Sequence, residues 1–221
     1  MAAKVLIVDD HPAICEGLAV RIAAQPDLEV CGQAADIAEA MELVKAALPD
    51  VVVVDIQLRT GNGLDLIHRI KAHDDSIQVL VWSMYPDAVY AERALRAGAL
   101  GYINKQNTTH DIVDAIRAVR DGRVFLSEET ATNLLGHVIG AGNRLKTSGV
   151  ESLSDRELEI FRLIGQGLST SEIAQRLHRS THTVEAHRQA IRRKLNAKNA
   201  SELNRAAAQW VLENGWKSGQ D

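Results

Sequence analysis

The chain has 221 residues, a net charge of −4 and 46% hydrophobic content. That is enough for one or two soluble domains, and too ordinary a composition for a disordered or fibrous chain. No apolar run approaches the ~20 residues that a membrane helix needs. Cys15 and Cys31 lack metal-ligand spacing and are read as reduced core thiols. The opening MAAKVLIVDDHP enters a strand without the features of a signal peptide, so a cytoplasmic location is expected.

Residues 4–121 alternate strand and helix patterns. In chain order, a strand at 4–8 ends in Asp9-Asp10 and precedes a helix at 12–24. A strand at 28–33 and a helix at 36–47 follow. Pro49-Asp50 punctuates the chain before a strand at 51–55, whose four valines end in Asp55. After a helix at 63–73, the strand at 77–82 ends in Ser83. A helix at 87–97 precedes a strand at 100–103 that leads to Lys105. The last helix of this set, 109–121, takes Thr108 or Thr109 as its N-cap. Five such βα units predict an α/β doubly wound domain at 1–122 with five parallel strands. Residues 123–149 are read as a linker with a short helix, and the glycines at 136–149 leave little to build a core.

From Leu153 onward the pattern is all helical. Ser154 with Glu157, Ser169 with Glu172 and Asn199 with Glu202 fit capping boxes. Four helices are expected at 154–165, 170–178, 181–195 and 200–213, in an all-α domain at 150–221. The two ends also differ in charge. Residues 1–149 hold 14 Lys and Arg against 20 Asp and Glu, and residues 150–221 hold 11 against 9. A locally basic second part points to a polyanionic partner.

Side chains just beyond the strand ends of an open parallel sheet converge on one crevice. Asp9, Asp10, Asp55, Ser83 and Lys105 therefore meet in one pocket. Any one of them alone is an ordinary turn or surface residue; the chemistry lies in their joint placement. A carboxylate can attack phosphorus and form an acyl phosphate. Attack by one anion on another requires added positive charge. Asp9, Asp10, Asp55 and the backbone carbonyl of Gln57 suit Mg²⁺, which prefers oxygen ligands. Lys105 neutralises a phosphoryl oxygen, and Ser83 donates to another.

In the helix at 181–195, Val184, Ile191 and Leu195 form a core stripe. Glu185, Gln189, His182, Arg192 and Arg193 lie opposite, as in a helix that enters the major groove. Glu accepts from cytosine and Gln pairs with adenine. Arg188, Arg192, Arg193 and Lys194 are expected at phosphates. His187, at the stripe's border, is read as a packed histidine.

The stretches VLIVDDHP, VVVVDIQL…GNG and SMYPDAVYAERALRAGALGYINK resemble the receiver domain of two-component response regulators. That resemblance implies a flavodoxin-like fold, Asp55 as phosphoacceptor, Asp9 and Asp10 as Mg²⁺ ligands, Lys105 at the phosphoryl group, and Ser83 with Tyr102 as a switch pair. The segment LSDRELEIFRLIGQGLSTSEIAQRLHRSTHTVEAHRQAIRRKL resembles the LuxR-type helix–turn–helix. It implies base contacts at Glu185, Ala186 and Gln189, phosphate contacts at Thr183, Arg188 and Lys194, and a dimer face on the last helix with Leu203, Ala206, Ala207, Trp210 and Val211, Trp210 being read equally well as core. Together the two identify a NarL/FixJ-type response regulator, not an enzyme. Its partners are then double-stranded DNA, a cognate sensor histidine kinase, RNA polymerase and a second copy of the chain.

Arg59 departs from this pattern, because the family usually has proline there. Proline pre-sets the turn, so a looser or differently shaped acceptor loop is expected. Two rival readings follow from the residues. One is a DNA-binding factor independent of phosphorylation, which Arg59 weakly favours. The other is an aspartate-nucleophile phosphohydrolase, which would need a general acid at position 57, where the chain has Gln57.

Overall fold

The computed structural model describes residues 2–106, 112–140 and 149–214. The chain divides into two compact units, Met1–Ala141 and Gly142–Asp221. In the first unit the elements are β1 Ala3–Val8, α1 Pro12–Ala23, β2 Leu28–Ala34, α2 Ile37–Ala47, β3 Val51–Val54 and α3 Gly63–His73. They continue with β4 Gln78–Ser83, α4 Asp87–Ala97, β5 Gly101–Asn104, α5 Ile112–Arg120 and α6 Glu128–Gly140.

One parallel sheet runs in the order β2-β1-β3-β4-β5. β3 is central, and each of its valines is at most 2% exposed. A strand covered on both faces needs apolar residues at every position, which explains the uninterrupted run. Ile7, Val53 and Leu80 from the sheet pack with Leu18 and Ile22 of α1 and Ile116 of α5. After β1 the chain steps outward to β2 and returns on the other side at β3. The loops at that reversal part in opposite directions and open a crevice at the carboxyl ends of β1 and β3.

The stretch read as linker is in part built into this unit. Phe125 bridges β5: Tyr102 N donates to Phe125 O at 3.0 Å, and Phe125 N to Leu100 O at 3.0 Å. That pairing covers a sheet edge. α6 runs past Gly136 to Gly140. Its start is held by Ser127, whose hydroxyl accepts from Thr130 N, and by Asp87, which accepts from the Ser127 and Thr130 hydroxyls at 3.1 and 2.9 Å. The proposed caps Thr108 and Thr109 lie outside the described residues.

The second unit has a 3-10 turn at Val150–Ser152, then α7 Asp155–Gly165, α8 Thr170–Arg176, α9 Thr181–Lys194 and α10 Ala200–Glu213. Ser154 and Ser169 each form a reciprocal capping box with Glu157 and Glu172. The expected box at Asn199 is only half made. Asn199 accepts from Glu202 N, while Glu202 reaches back to Lys198 N. The core gathers Leu158 and Phe161 of α7, Ile173 of α8, Val184 and Ile191 of α9, and Leu203, Ala207 and Val211 of α10. Leu195 is half-buried. Leu203, Ala207 and Val211 thus face inward, because α10 packs along α7. Of the apolar set expected at a dimer face, only Ala206 is exposed. Trp210 is half-buried against the Phe161 ring, with centroids 5.8 Å apart. Gly165 marks the close approach: a Cβ there would lie 2.3 Å from Ala207 O.

Among the described residues no helix is long and apolar enough to cross a membrane.

Candidate functional site

The carboxyl ends of β1, β3, β4 and β5 bring Asp9, Asp55, Ser83 and Lys105 together. Asp55 Oδ1 accepts from Ser83 Oγ at 2.5 Å and from Gln57 N at 3.3 Å. Its Oδ2 accepts from Lys105 Nζ at 2.6 Å, and the same ammonium reaches Asp9 Oδ2. The Asp9, Asp55 and Lys105 side chains are 3–4% exposed.

Burial sets the electrostatics here. It pushes the Asp55 carboxyl up from its ordinary value, and the Lys105 charge opposes that rise. Burial alone would pull Lys105 down. The flanking Asp55 and Asp9 carboxylates outweigh it and hold the ammonium above its usual value. The Lys105 ammonium also lies 5.5 Å from the Trp82 ring centroid. Asp10 is raised by burial, against the pull of His11.

Asp10 Oδ1 is buried and accepts no hydrogen bond among the described residues. His11 Nδ1 comes within 2.8 Å of it, but without the direction of a hydrogen bond. Asp9, His11 and Asp55 offer ligand atoms that all lie within 4.8 Å of one another. A buried carboxylate oxygen that accepts no hydrogen bond, beside two more carboxylates, is the donor chemistry of a hard, oxygen-preferring cation.

Tyr102 is buried. Its hydroxyl donates to Tyr85 O at 2.8 Å, and Asn104 Nδ2 donates to the same carbonyl at 2.9 Å. Burial pushes the Tyr102 phenol well above its ordinary value. Tyr85 in turn donates its hydroxyl to Gln57 Oε1 at 2.9 Å and packs on Tyr90. The backbone of Gln57 pairs with Asn62 in a short antiparallel bridge.

The second candidate surface is α9. Ser180 caps it, accepting from Thr183 N. Val184 and Ile191 anchor one side in the core. His182, Glu185, Ala186, Gln189 and Arg193 are exposed on the other. Three basic residues expected at phosphates are engaged within the unit. Arg188 donates to Asn204 Oδ1 at 3.1 Å and Arg192 to Lys198 O at 2.9 Å. Lys194 binds Glu157 Oε2 at 2.6 Å and Ser152 O at 3.1 Å. Thr183 is half-buried, with its hydroxyl 2.8 Å from Ser180 Oγ.

Residues 5–117 match the family described as response regulator receiver domain, and residues 151–207 match bacterial regulatory proteins of the luxR family. Oxygen regulatory protein NreC of Staphylococcus carnosus is 35% identical over 204 residues, spanning 90% of this chain and 94% of that protein. The chain belongs to the NarL/FixJ family of response regulators. Among solved structures, RcsB from Salmonella enterica serovar Typhimurium, bound to promoter rprA in the presence of phosphomimetic BeF3−, aligns with a TM-score of 0.67 at 25% identity. That alignment covers 94% of this chain and 99% of RcsB. A LuxR-family two-component response regulator from Aurantimonas sp. SI85-9A1 is 32% identical, with a TM-score of 0.58, over 63% of this chain and 99% of that one.

Receiver domains bind Mg²⁺ at an acidic pocket, and this response regulator has such a pocket. Three residues around it escaped the sequence reading. His11 directly follows the two aspartates, and this adjacency was its only signal. Tyr85 and Asn104 left none, because a loop tyrosine and a strand-end asparagine carry no periodicity. The expected looseness at Arg59 is corrected. Its guanidinium binds Asp36 and Glu39 at 2.6 Å each, and its backbone N–H donates to Ala35 O at 3.1 Å. The loop is tied down by charge where proline would have stiffened it by geometry.

Proposed function

We propose that this response regulator accepts a phosphoryl group on Asp55 from a sensor histidine kinase and uses it to control dimerisation and sequence-specific DNA binding. The supporting observation is the Asp55 carboxylate held between Lys105 and Ser83, next to an Asp10 oxygen that accepts no hydrogen bond among the described residues. In transfer, an Asp55 oxygen bonds to phosphorus as the P–N bond of a phosphohistidine breaks. The leaving imidazole keeps the electron pair and takes up a proton. Asp9, Asp10, Asp55 and the carbonyl of Gln57 would hold Mg²⁺, which shields the negative charge between nucleophile and phosphoryl group. Lys105 releases its ion pair with Asp55 and follows a phosphoryl oxygen. Ser83, already aimed at Asp55, donates to another. Tyr102 then reports the state of Ser83 through Tyr85, whose backbone N–H lies 3.4 Å from Ser83 Oγ.

The DNA reading rests on the exposed face of α9. Glu185, Ala186 and Gln189 supply base contacts, and Arg193 meets a phosphate. Thr183, Arg188, Arg192 and Lys194 reach phosphates by leaving their present partners. RcsB has been solved bound to promoter DNA, which supports the same use of this fold here. A homodimer on two half-sites, contact with RNA polymerase and a cytoplasmic location complete the reading. Intact mass after incubation with Mg²⁺ and a small phosphodonor tests it: one phosphoryl adduct is expected on wild type and none on Asp55→Asn. An adduct on both, or on neither with the kinase present, refutes it.

A further inference from the structure

The loop that follows Asp55 is pinned from two sides. On the α3 side, Gly63 lies so close that a Cβ would sit 2.1 Å from Asp55 O, and Gly63 N donates to Ile56 O at 2.8 Å. On the α2 side, one nitrogen of Arg59 binds both Asp36 Oδ2 and Glu39 Oε1 at 2.6 Å. Neither carboxylate is idle there. Asp36 Oδ1 caps α2 by accepting from Ala38 N and Glu39 N, and Glu39 Oε2 accepts from Ala35 N. The Arg59 backbone N–H closes the clamp on Ala35 O. Ala35 directly follows Ala34, whose carbonyl accepts from Asp9 N. The clamp therefore joins the acceptor loop to the β2–α2 connection that borders the metal-binding aspartates. Between the two pins lies Gln57.

We infer that Arg59 is a positioning residue: through Asp36 and Glu39 it fastens the acceptor loop to the start of α2 and holds Gln57 in place for the divalent cation. The inference rests on the divalent-cation site beside Asp55 that the proposed function assigns to this pocket. It gives the chain's departure from the family pattern a function. Proline at 59 would supply a fixed φ but would delete the N–H that reaches Ala35 O. It would also remove the guanidinium, so restoring the family residue loosens this loop.

The test is Mg²⁺ binding alone, measured by isothermal titration on the full chain, with no phosphodonor. The variants are Arg59→Ala, Arg59→Pro, the pair Asp36→Asn with Glu39→Gln, and the triple that adds Arg59→Ala to that pair. Asn and Gln keep the acceptors that cap α2 and remove only the charge. Field and positioning effects have opposite signs at Arg59. Removing a positive charge near an acidic pocket tightens a cation; releasing the loop weakens it. Arg59→Ala and Arg59→Pro are expected to raise the dissociation constant about two- to fivefold, the range open to an exposed charge network. The pair is expected to weaken Mg²⁺ similarly, and the triple to be no worse than the pair, since all break one clamp. Tighter or unchanged Mg²⁺ binding in Arg59→Ala overturns the inference, as does a triple whose effect is the product of the two. If wild type takes up Mg²⁺ but Asp55 gains no phosphoryl group, the acceptor reading falls while the clamp stands. If wild type takes up no Mg²⁺, both fall.

Discussion

Replacing Lys105 by methionine tests the electrostatic logic of the pocket. The ammonium is the shared partner of Asp9 and Asp55, and all three side chains are 3–4% exposed. Removing one member of a buried ion pair costs about 3–5 kcal/mol, because the other charge is left without a partner. The lower end applies here. Asp55 keeps Ser83 Oγ, and Asp9 keeps the His11 N–H at 2.9 Å. Lys105→Met is therefore expected to lose about 3 kcal/mol of first-unit stability at pH 7 without divalent ions. Mg²⁺ at 100 times its dissociation constant should return about 2.7 kcal/mol. It should return less to wild type, where the ion competes with the ammonium. The pH dependence has a definite sign. Burial already raises Asp55 in the fold, and loss of the opposing Lys105 charge raises it further. A carboxyl with a raised folded pKa contributes stability that is present below its unfolded value and lost as pH rises through the folded one. The deficit of the variant should thus shrink as pH falls from 7 through the raised Asp55 pKa. Amide exchange of Val51–Val54, the buried central strand of the first unit, reads its opening free energy apart from the second unit. Equal protection of wild type and variant at pH 7 without metal, or an equal gain from Mg²⁺, refutes the reasoning.

Three other predictions concern the second unit. Gly165→Ala gains up to about 1 kcal/mol of helix propensity, but its Cβ would meet the backbone of Ala207 at 2.3 Å. Overpacking wins, and urea unfolding should show a net loss of about 1–2 kcal/mol; an equally stable variant would mean that α7 and α10 sit farther apart. Burial works to raise Glu157, but the Lys194 ion pair and the Ser154 N–H together hold it below its ordinary 4.5. A carboxyl with a depressed folded pKa contributes stability that is present above its unfolded value and lost as pH falls through the folded one. Second-unit stability should therefore fall below about pH 4.5, with a flatter profile in Glu157→Gln; identical profiles would contradict the ion pair. On DNA, Gln189→Ala should cost about 1–3 kcal/mol at one base pair, whereas Arg193→Ala should weaken every sequence alike and lower the salt slope by about 1. A uniform loss from Gln189→Ala would remove it from the base contacts.

The pocket was legible in the sequence because strand ends are points of known direction. A buried parallel strand announces itself by its valines, so Asp55 follows from Val51–Val54, and Ser83 and Lys105 follow from the next two strands. The α9 face was legible for the same kind of reason, since Val184 and Ile191 fix which side of the helix is buried. Asp10 was harder to place. Two adjacent aspartates share one strand end, and only burial shows that Asp9 takes Lys105 while an Asp10 oxygen is left without a hydrogen bond.

What the sequence by itself determined are features set within a few residues of chain: the alternation of strands and helices, the Ser154 and Ser169 caps, and the order in which acids, hydroxyl and ammonium reach one edge of a sheet. Those depend on local propensity, side-chain period and hydrogen bonds of short reach. Only the tertiary structure decided where long polar side chains end. Arg59 reaches across to Asp36 and Glu39, and Lys194 to Glu157. Arg188 turns to Asn204, and Tyr85 joins Gln57 to Tyr102. A periodic pattern states which face of an element a residue occupies. It carries no information about which group on another element lies within 3 Å, and that distance governs every ion pair and hydrogen bond of the site.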